Sequence, residues 1–136
     1  MKFGRREIKF ITMAISKDAA TALILDIAAK GNCVEILMQT RNHKRPKNYN
    51  IGYSGNKRGS FTPDAVLRYE SQADFFSIEE ELSKANQAEI IYKWILFSME
   101  AKKLKGKLFL VVPKSKEFEY TSLVDWKQID ATVLSV

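Results

Sequence analysis

Histidine, cysteine and long apolar runs are scarce in this chain of 136 residues, and each shortage excludes a class of function. Cys33 is the only cysteine, so no internal disulfide and no cysteine-rich zinc site can form, and we expect a reducing compartment, the cytoplasm. His43 is the only histidine, which excludes a metal site built on a histidine pair. The apolar patch at residues 10–15 is too short for a membrane helix or a signal peptide, so we predict no membrane association.

Acidic residues are absent from residues 41–58, where basic residues are concentrated. The 16 basic residues elsewhere balance the 16 acidic residues, so this segment accounts for the formal net charge of +6. The concentration is typical of a protein that binds a polyanion, although a solvated loop explains the charge alone equally well. For DNA binding we assign the phosphate backbone contacts to Arg41, His43, Lys44, Arg45, Lys47, Lys57 and Arg58, and base stacking to Tyr49 and Tyr53, which as loop tyrosines could instead pack locally.

The rest of the chain has ordinary globular composition, with 46% apolar and 28% charged residues, and its length fits one domain, residues 1–136. Apolar periodicity and turn signals predict helices at 19–30, 84–103 and, more weakly, 121–127, with a polar loop at 41–60. Strands are expected at 33–38, 64–69, 74–82, 107–112 and 132–136. This α-β-β-β-α-β order predicts an α/β fold, a mixed sheet flanked by helices, with a core at about 16–113 and a C-terminal extension at 114–136.

The predicted strand at 74–82 is unusually acidic. Alternation places Phe76, Ile78 and Leu82 on one face, which we expect to be the core, and Glu79 and Glu81 on the other. Their Cα atoms would lie ~7 Å apart, and two adjacent carboxylates repel each other unless a cation compensates.

Hard oxygen ligands of this kind suit Mg²⁺ or Mn²⁺. Asp64, at the start of the neighbouring predicted strand, would converge with the two glutamates if the strands form a hairpin. The alternative is an acidic, solvent-exposed face on an edge strand. Glu80 falls on the apolar face and needs a separate explanation, such as a position near the exposed end of the strand.

The segment Thr62-Pro63-Asp64, followed by the strand Ile78-Glu79-Glu80-Glu81 and a helix, resembles the PD-(D/E)XK nuclease superfamily, which has a restriction-endonuclease-like fold. The resemblance covers about residues 18–112. The glycines around Lys57 and Arg58, and the segment Asn86-Gln87-Ala88-Glu89, are similar to archaeal-type Holliday-junction resolvases. The chain departs from the family pattern at Glu81, where a lysine is expected.

The resemblance implies that Asp64 and Glu79 bind Mg²⁺, joined by the backbone carbonyl of Glu80, with Glu81 as a further ligand or as the base that orients water. It also requires a cation that stabilises the phosphate, and we assign that role to Lys84, with Gln87 hydrogen-bonding the same phosphate or the lysine. We therefore expect an Mg-dependent deoxyribonuclease. Its substrate would be branched DNA, a restriction site or the end of a mobile element.

Two other functions stay open. The chain could be a nucleic-acid-binding protein without catalysis, or an interaction module whose basic segment meets an acidic protein. The helix at 84–103 is apolar nearly all round, which predicts burial on more than one side. That burial would come from the tail of the chain or from a homodimer contact, and the protein could also serve as a subunit of a larger DNA-processing complex.

Overall fold

The structure, a computed structural model, describes residues 18–50, 60–80, 82 and 86–136, which form three α-helices and seven strands. Helix α1 spans residues 18–30, α2 spans Gln87–Lys103 and α3 spans Glu117–Trp126. The strands are β1 (Glu35–Met38), β2 (Tyr49–Asn50), β3 (Ser60–Phe61), β4 (Ala65–Arg68), β5 (Ala73–Ile78), β6 (Leu108–Val112) and β7 (Ala131–Ser135).

Five of the strands form one mixed sheet in the order β1-β4-β5-β6-β7. β4 is antiparallel to both of its neighbours, β1 and β5. β6 is parallel to both of its neighbours, β5 and β7, which requires the crossovers that α2 and α3 provide. The predicted α/β fold, with a mixed sheet flanked by helices, is confirmed. The order α-β-β-β-α-β is present as α1-β1-β4-β5-α2-β6, and segment 114–136 adds α3 and β7 to it.

Both faces of the sheet are covered by helices. On one face Ile24 of α1 packs against a group that includes Leu67 and Phe76. On the other face Trp94 of α2 and Tyr120 of α3 pack against a group that includes Phe75. Because neither face meets water, the central strands are apolar at successive positions as well as at alternate ones, as in buried parallel sheets.

Helix α1 forms and ends as its sequence predicts. Its fully buried positions, Ala20, Ile24 and Ala28, are spaced by four and make one stripe against the sheet. At the end of the helix the Gly31 N–H donates to the Ile27 carbonyl at 3.0 Å, and Asn32 adopts a left-handed conformation with φ of 57°. This conformation ends the helix and turns the chain into β1.

The acidic strand differs from its prediction in length and surroundings. Strand β5 ends at Ile78 and is the central strand of the five, and Glu79 directly after it is buried, so the alternative of an exposed acidic face on an edge strand is wrong for Glu79. Leu82 packs against the group that contains Phe75, not the one that contains Phe76. The expectation that Phe76 and Leu82 share a face is also wrong, because the strand's alternation stops before Leu82.

Smaller corrections concern the loop and the tail. The predicted loop at 41–60 contains β2 and ends in β3, which pair as a separate antiparallel ribbon. Helix α3 begins at Glu117, four residues before its prediction. Among the described residues, no helix combines the length and the apolar character that a membrane crossing requires.

Candidate functional site

The Glu79 carboxylate is buried directly after the end of β5, with 4% of the residue exposed. Its Oε1 accepts hydrogen bonds from the Ser77 hydroxyl at 2.7 Å and from the Trp94 indole N–H at 3.1 Å. The Lys93 ammonium lies 2.5 Å from Oε1 and 3.1 Å from Oε2. Since a buried carboxylate is costly unless it is paired and hydrogen-bonded, this set of donors lets an acid occupy the interior.

Helix α2 supplies two of these donors from adjacent positions. The Trp94 ring is fully buried and packs against Tyr120 with the ring centroids 5.8 Å apart, which orients its N–H toward Glu79. The Lys93 side chain keeps 20% of its surface exposed, so its ammonium joins the buried carboxylate to solvent. The cluster of Glu79, Ser77, Lys93 and Trp94 is therefore rigid on its inner side and accessible at the lysine.

Asp64 lies beside this cluster on the neighbouring strand. The β4–β5 register pairs Ala65 with Phe76, which places Asp64 opposite Ser77. Asp64 Oδ2 accepts the Ile78 backbone N–H at 2.6 Å, and the Asp64 N–H donates to the Phe76 carbonyl at 3.0 Å. Along β4 the Asp64 position shares a face with Val66, which packs with α2 and Phe75.

Glu79 occupies the same face of the sheet, two residues beyond Ser77. Diagonal neighbours on one face are ~7–8 Å apart at Cα, a separation that two carboxylate side chains can close to hold one ion between them. The register thus places Asp64 and Glu79 at the same end of the hairpin and on one face of the sheet, and their convergence on one ion stays a prediction.

The structure describes two of the four other predicted site residues. Glu80 follows Glu79 in the chain and is half-buried, and the role of its carbonyl as a metal ligand stays a prediction. Gln87 is the first residue of α2 and lines a surface pocket of about 430 Å³ together with Tyr92 and Lys127. Glu81 and Lys84 lie outside the described residues, and their assigned roles stay predictions.

Lys93 is the residue that sequence reasoning missed. It is the one charged residue in the otherwise apolar run between Glu89 and Ser98, and a single charge inside such a run is a signal that it pairs with something buried. The sequence could not identify the partner, because Glu79 is 14 residues away and three neighbouring acids compete for the role.

The described residues contain no group of three or more histidine, cysteine, aspartate or glutamate side chains arranged to hold a metal ion. The oxygen donors they offer at this site are the carboxylates of Asp64 and Glu79 and the Glu80 carbonyl. All are hard ligands of the kind that Mg²⁺ and Mn²⁺ prefer.

The basic segment is tied to the chain immediately before Asp64. The Gln39 side-chain amide donates to the carbonyls of Thr62 at 3.1 Å and Pro63 at 2.9 Å, and its oxygen accepts from Arg45 at 3.5 Å. Asn48 donates to the Thr62 hydroxyl at 2.8 Å. These bonds hold the described part of the basic segment beside the start of β4.

Of the predicted DNA-binding residues in this part, Arg41, Lys44, Arg45 and Lys47 are exposed. His43 is half-buried and its Nδ1 hydrogen-bonds with the Thr40 hydroxyl at 2.6 Å. Tyr53, Lys57 and Arg58 lie outside the described residues.

Tyr49 is half-buried, with its ring 5.3 Å from that of Phe75 and beneath the Lys47 ammonium. Burial raises the pKa of its phenol above the ordinary value, so the group stays neutral. The ring of Tyr49 therefore packs locally against the protein, which was the alternative to base stacking in the sequence analysis.

Comparisons with protein-family models, with curated proteins and with solved structures give no match for this chain.

Proposed function

We propose that the protein is a metal-dependent endonuclease that hydrolyses phosphodiester bonds of DNA. One observation carries the proposal: Asp64 and Glu79 stand at one end of the β4–β5 hairpin and on one face of the sheet, with Lys93 paired to Glu79 at the solvent boundary. Two acids that could hold a metal ion, and a lysine that could reach a phosphate oxygen, support metal-dependent phosphodiester hydrolysis. The membership in the PD-(D/E)XK superfamily and the cytoplasmic location belong to the same proposal.

Each residue then has a stated role. Asp64, Glu79 and the Glu80 carbonyl would hold Mg²⁺ or Mn²⁺, which neutralises the developing charge and activates water. Glu79 Oε1 accepts from Ser77 and Trp94, and the Lys93 ammonium contacts both carboxylate oxygens. If the ammonium left the carboxylate, Oε2 would be open to the metal ion and Lys93 would be free to bind a phosphate oxygen, the role that the sequence interpretation assigns to Lys84.

DNA would reach this site along the basic segment. Gln39 links Arg45 to the two residues before Asp64, so phosphates held by Arg45 and its basic neighbours lie next to the acids. Each phosphate contact releases a counterion and makes the affinity depend on salt. Such contacts are independent of base sequence, and they leave the choice among branched DNA, a restriction site and a mobile-element end to the cleavage experiment.

A second candidate function is nucleic-acid binding without catalysis. It is favoured by the fact that both oxygens of Glu79 already have donors, so the acid can serve as a structural group that anchors α2 to β5. In that case the basic segment alone carries the function. Metal dependence separates the two candidates.

The test is cleavage of plasmid, linear and four-way-junction DNA in Mg²⁺, Mn²⁺ or EDTA. We expect metal-dependent cutting that falls by about 100-fold or more in Asp64→Asn and Glu79→Gln, because each removes a charged ligand worth several kcal/mol in the transition state. Asp26→Asn and Glu119→Gln remove exposed acids of the same types and should cut normally.

DNA binding measured by fluorescence anisotropy in EDTA completes the design. Tight binding without cutting on every substrate would replace the nuclease with the non-catalytic candidate. Undiminished cutting by Asp64→Asn and Glu79→Gln would show that the site lies elsewhere. Absence of both binding and cutting would leave the interaction module with an acidic protein partner.

A further inference from the structure

One side of α2 is buried in the protein, whereas the opposite side is exposed although it is also apolar. Trp94 and Phe97 are fully buried against the sheet, while Tyr92, Ile95 and Met99 on the opposite side are 59%, 40% and 54% exposed. Their spacing of three and four residues makes them a continuous stripe along the helix. Within the described residues α2 therefore packs against the sheet and against Tyr120 of the tail, as one of the two predicted alternatives has it, and the stripe is left exposed.

A stripe of this composition is typical of a protein interface. Tyrosine and methionine are enriched in interface cores, and contiguous apolar patches on monomers are usually small or functional. The stripe lies on the same helix as two residues of the candidate site. Lys93 and Trp94, which donate hydrogen bonds to Glu79, lie between Tyr92 and Ile95 in the sequence.

The distribution of charges along α2 indicates which partner would cover this stripe. Glu89 lies in the first turn, and Lys102 and Lys103 lie in the last turn. If a second α2 is laid antiparallel across the first, with the midpoint between Ile95 and Leu96, Tyr92 of one copy faces Met99 of the other. The same placement brings Glu89 of one copy beside the lysines of the other. A parallel arrangement would instead oppose like charges at both ends.

We propose that the stripe of Tyr92, Ile95 and Met99 is the interface through which two copies of this chain form a symmetric dimer with antiparallel α2 helices. The contact is isologous, since each copy gives and receives the same residues, so it closes at two copies. The ion pair between Lys103 and Glu100 within one helix is exposed and weak, and it does not prevent Lys103 from reaching the Glu89 carboxylate of the other copy.

The first test is the mass of the full chain by sedimentation velocity over a range of concentrations. We expect a dimer, and an increase of at least tenfold in its dissociation constant in Ile95→Glu, with folding checked by circular dichroism. Phe118→Glu is the matched control, because Phe118 is an exposed aromatic residue on α3 outside the stripe. It should dimerise normally.

The second test examines the antiparallel arrangement. Glu89→Lys and Lys103→Glu should each weaken the dimer, and the combination should restore it, because the two charges exchange places across the interface. Ile95→Cys, in a Cys33→Ser background, should cross-link under mild oxidation, since residue 95 lies next to the two-fold axis, whereas Phe118→Cys should not.

A monomer at every concentration overturns the proposal, as does equal cross-linking at residues 95 and 118. Failure of the charge exchange to restore the dimer overturns the antiparallel arrangement. The proposed dimer does not depend on nuclease activity. A monomer that cuts DNA would refute the interface alone, and a dimer that does not cut would refute the proposed function alone.

Discussion

Replacing Lys93 by methionine should strongly destabilise the fold, because it leaves the Glu79 carboxylate buried without its counter-charge. Removing one partner of a buried ion pair typically costs about 3–5 kcal/mol of unfolding free energy. The Glu79 side chain is only 5% exposed, so it cannot turn to water. Ser77 and Trp94 still donate to it, and we therefore expect a loss of about 3 kcal/mol, at the lower end of that range.

The reverse change, Glu79→Gln, should cost less, about 1–2 kcal/mol. Its amide oxygen can still accept hydrogen bonds, and the ammonium left behind on Lys93 has 20% of its side chain in solvent. The double variant removes both charges, so its cost should be smaller than the sum of the two by about 1–3 kcal/mol, the coupling energy of groups in direct contact.

The measurement is equilibrium unfolding in urea, followed by far-ultraviolet circular dichroism so that the readout does not depend on Trp94 itself. Lys30→Met, at an exposed lysine of α1, is the control and should change stability by less than about 0.5 kcal/mol. A loss below about 1 kcal/mol in Lys93→Met, or strictly additive costs in the double variant, would refute the idea that the pair holds α2 to β5.

Two further predictions concern the turn before β6 and the basic segment. Gly106→Ala should lower the unfolding free energy by more than about 3 kcal/mol in thermal or urea unfolding, because its Cβ would lie 1.6 Å from the Ala73 carbonyl oxygen, a backbone atom. Lys105→Gly, at a residue with φ of 61°, is the control, and a similar loss there would contradict the steric explanation. Replacing Lys44, Arg45 and Lys47 together by serine should weaken DNA binding in EDTA and reduce the slope of log K against log salt by roughly 2–3, and an unchanged slope would remove these residues from the interface.

Much of the fold followed from local patterns. Apolar positions three and four residues apart predicted α1 at 19–30, and a turn signal after residue 30 predicted its end, where Asn32 adopts a left-handed conformation. Apolar runs predicted the five strands of the mixed sheet to within a few residues, whereas β2 and β3 were not predicted. Strand β5 was overextended to Leu82, because alternation continues in the sequence after the chain has left the sheet at Ile78.

The candidate site was predictable in part. Asp64 and Glu79 were selected from the sequence, since a proline-aspartate step and an acidic strand are local features, and the hairpin brings them to one end of the sheet. Their surroundings were not predictable. An acid on an alternating strand has the same pattern whether its face meets water or a helix, and only the packing of Trp94 over the sheet distinguishes the two.

The sequence by itself determined the three helices and the five strands of the mixed sheet to within a few residues, and where the excess positive charge lies, because these properties depend on residues within a few positions of one another. The tertiary structure decided that β5 is central, that Glu79 is buried against α2 with Lys93 as its partner, and that Tyr92, Ile95 and Met99 remain uncovered. The physical reason is the sequence distance between the residues involved. Burial and charge pairing depend on segments that come into contact only when the β5-α2-β6 crossover has formed. A local sequence pattern does not indicate which side of a helix packs against the sheet.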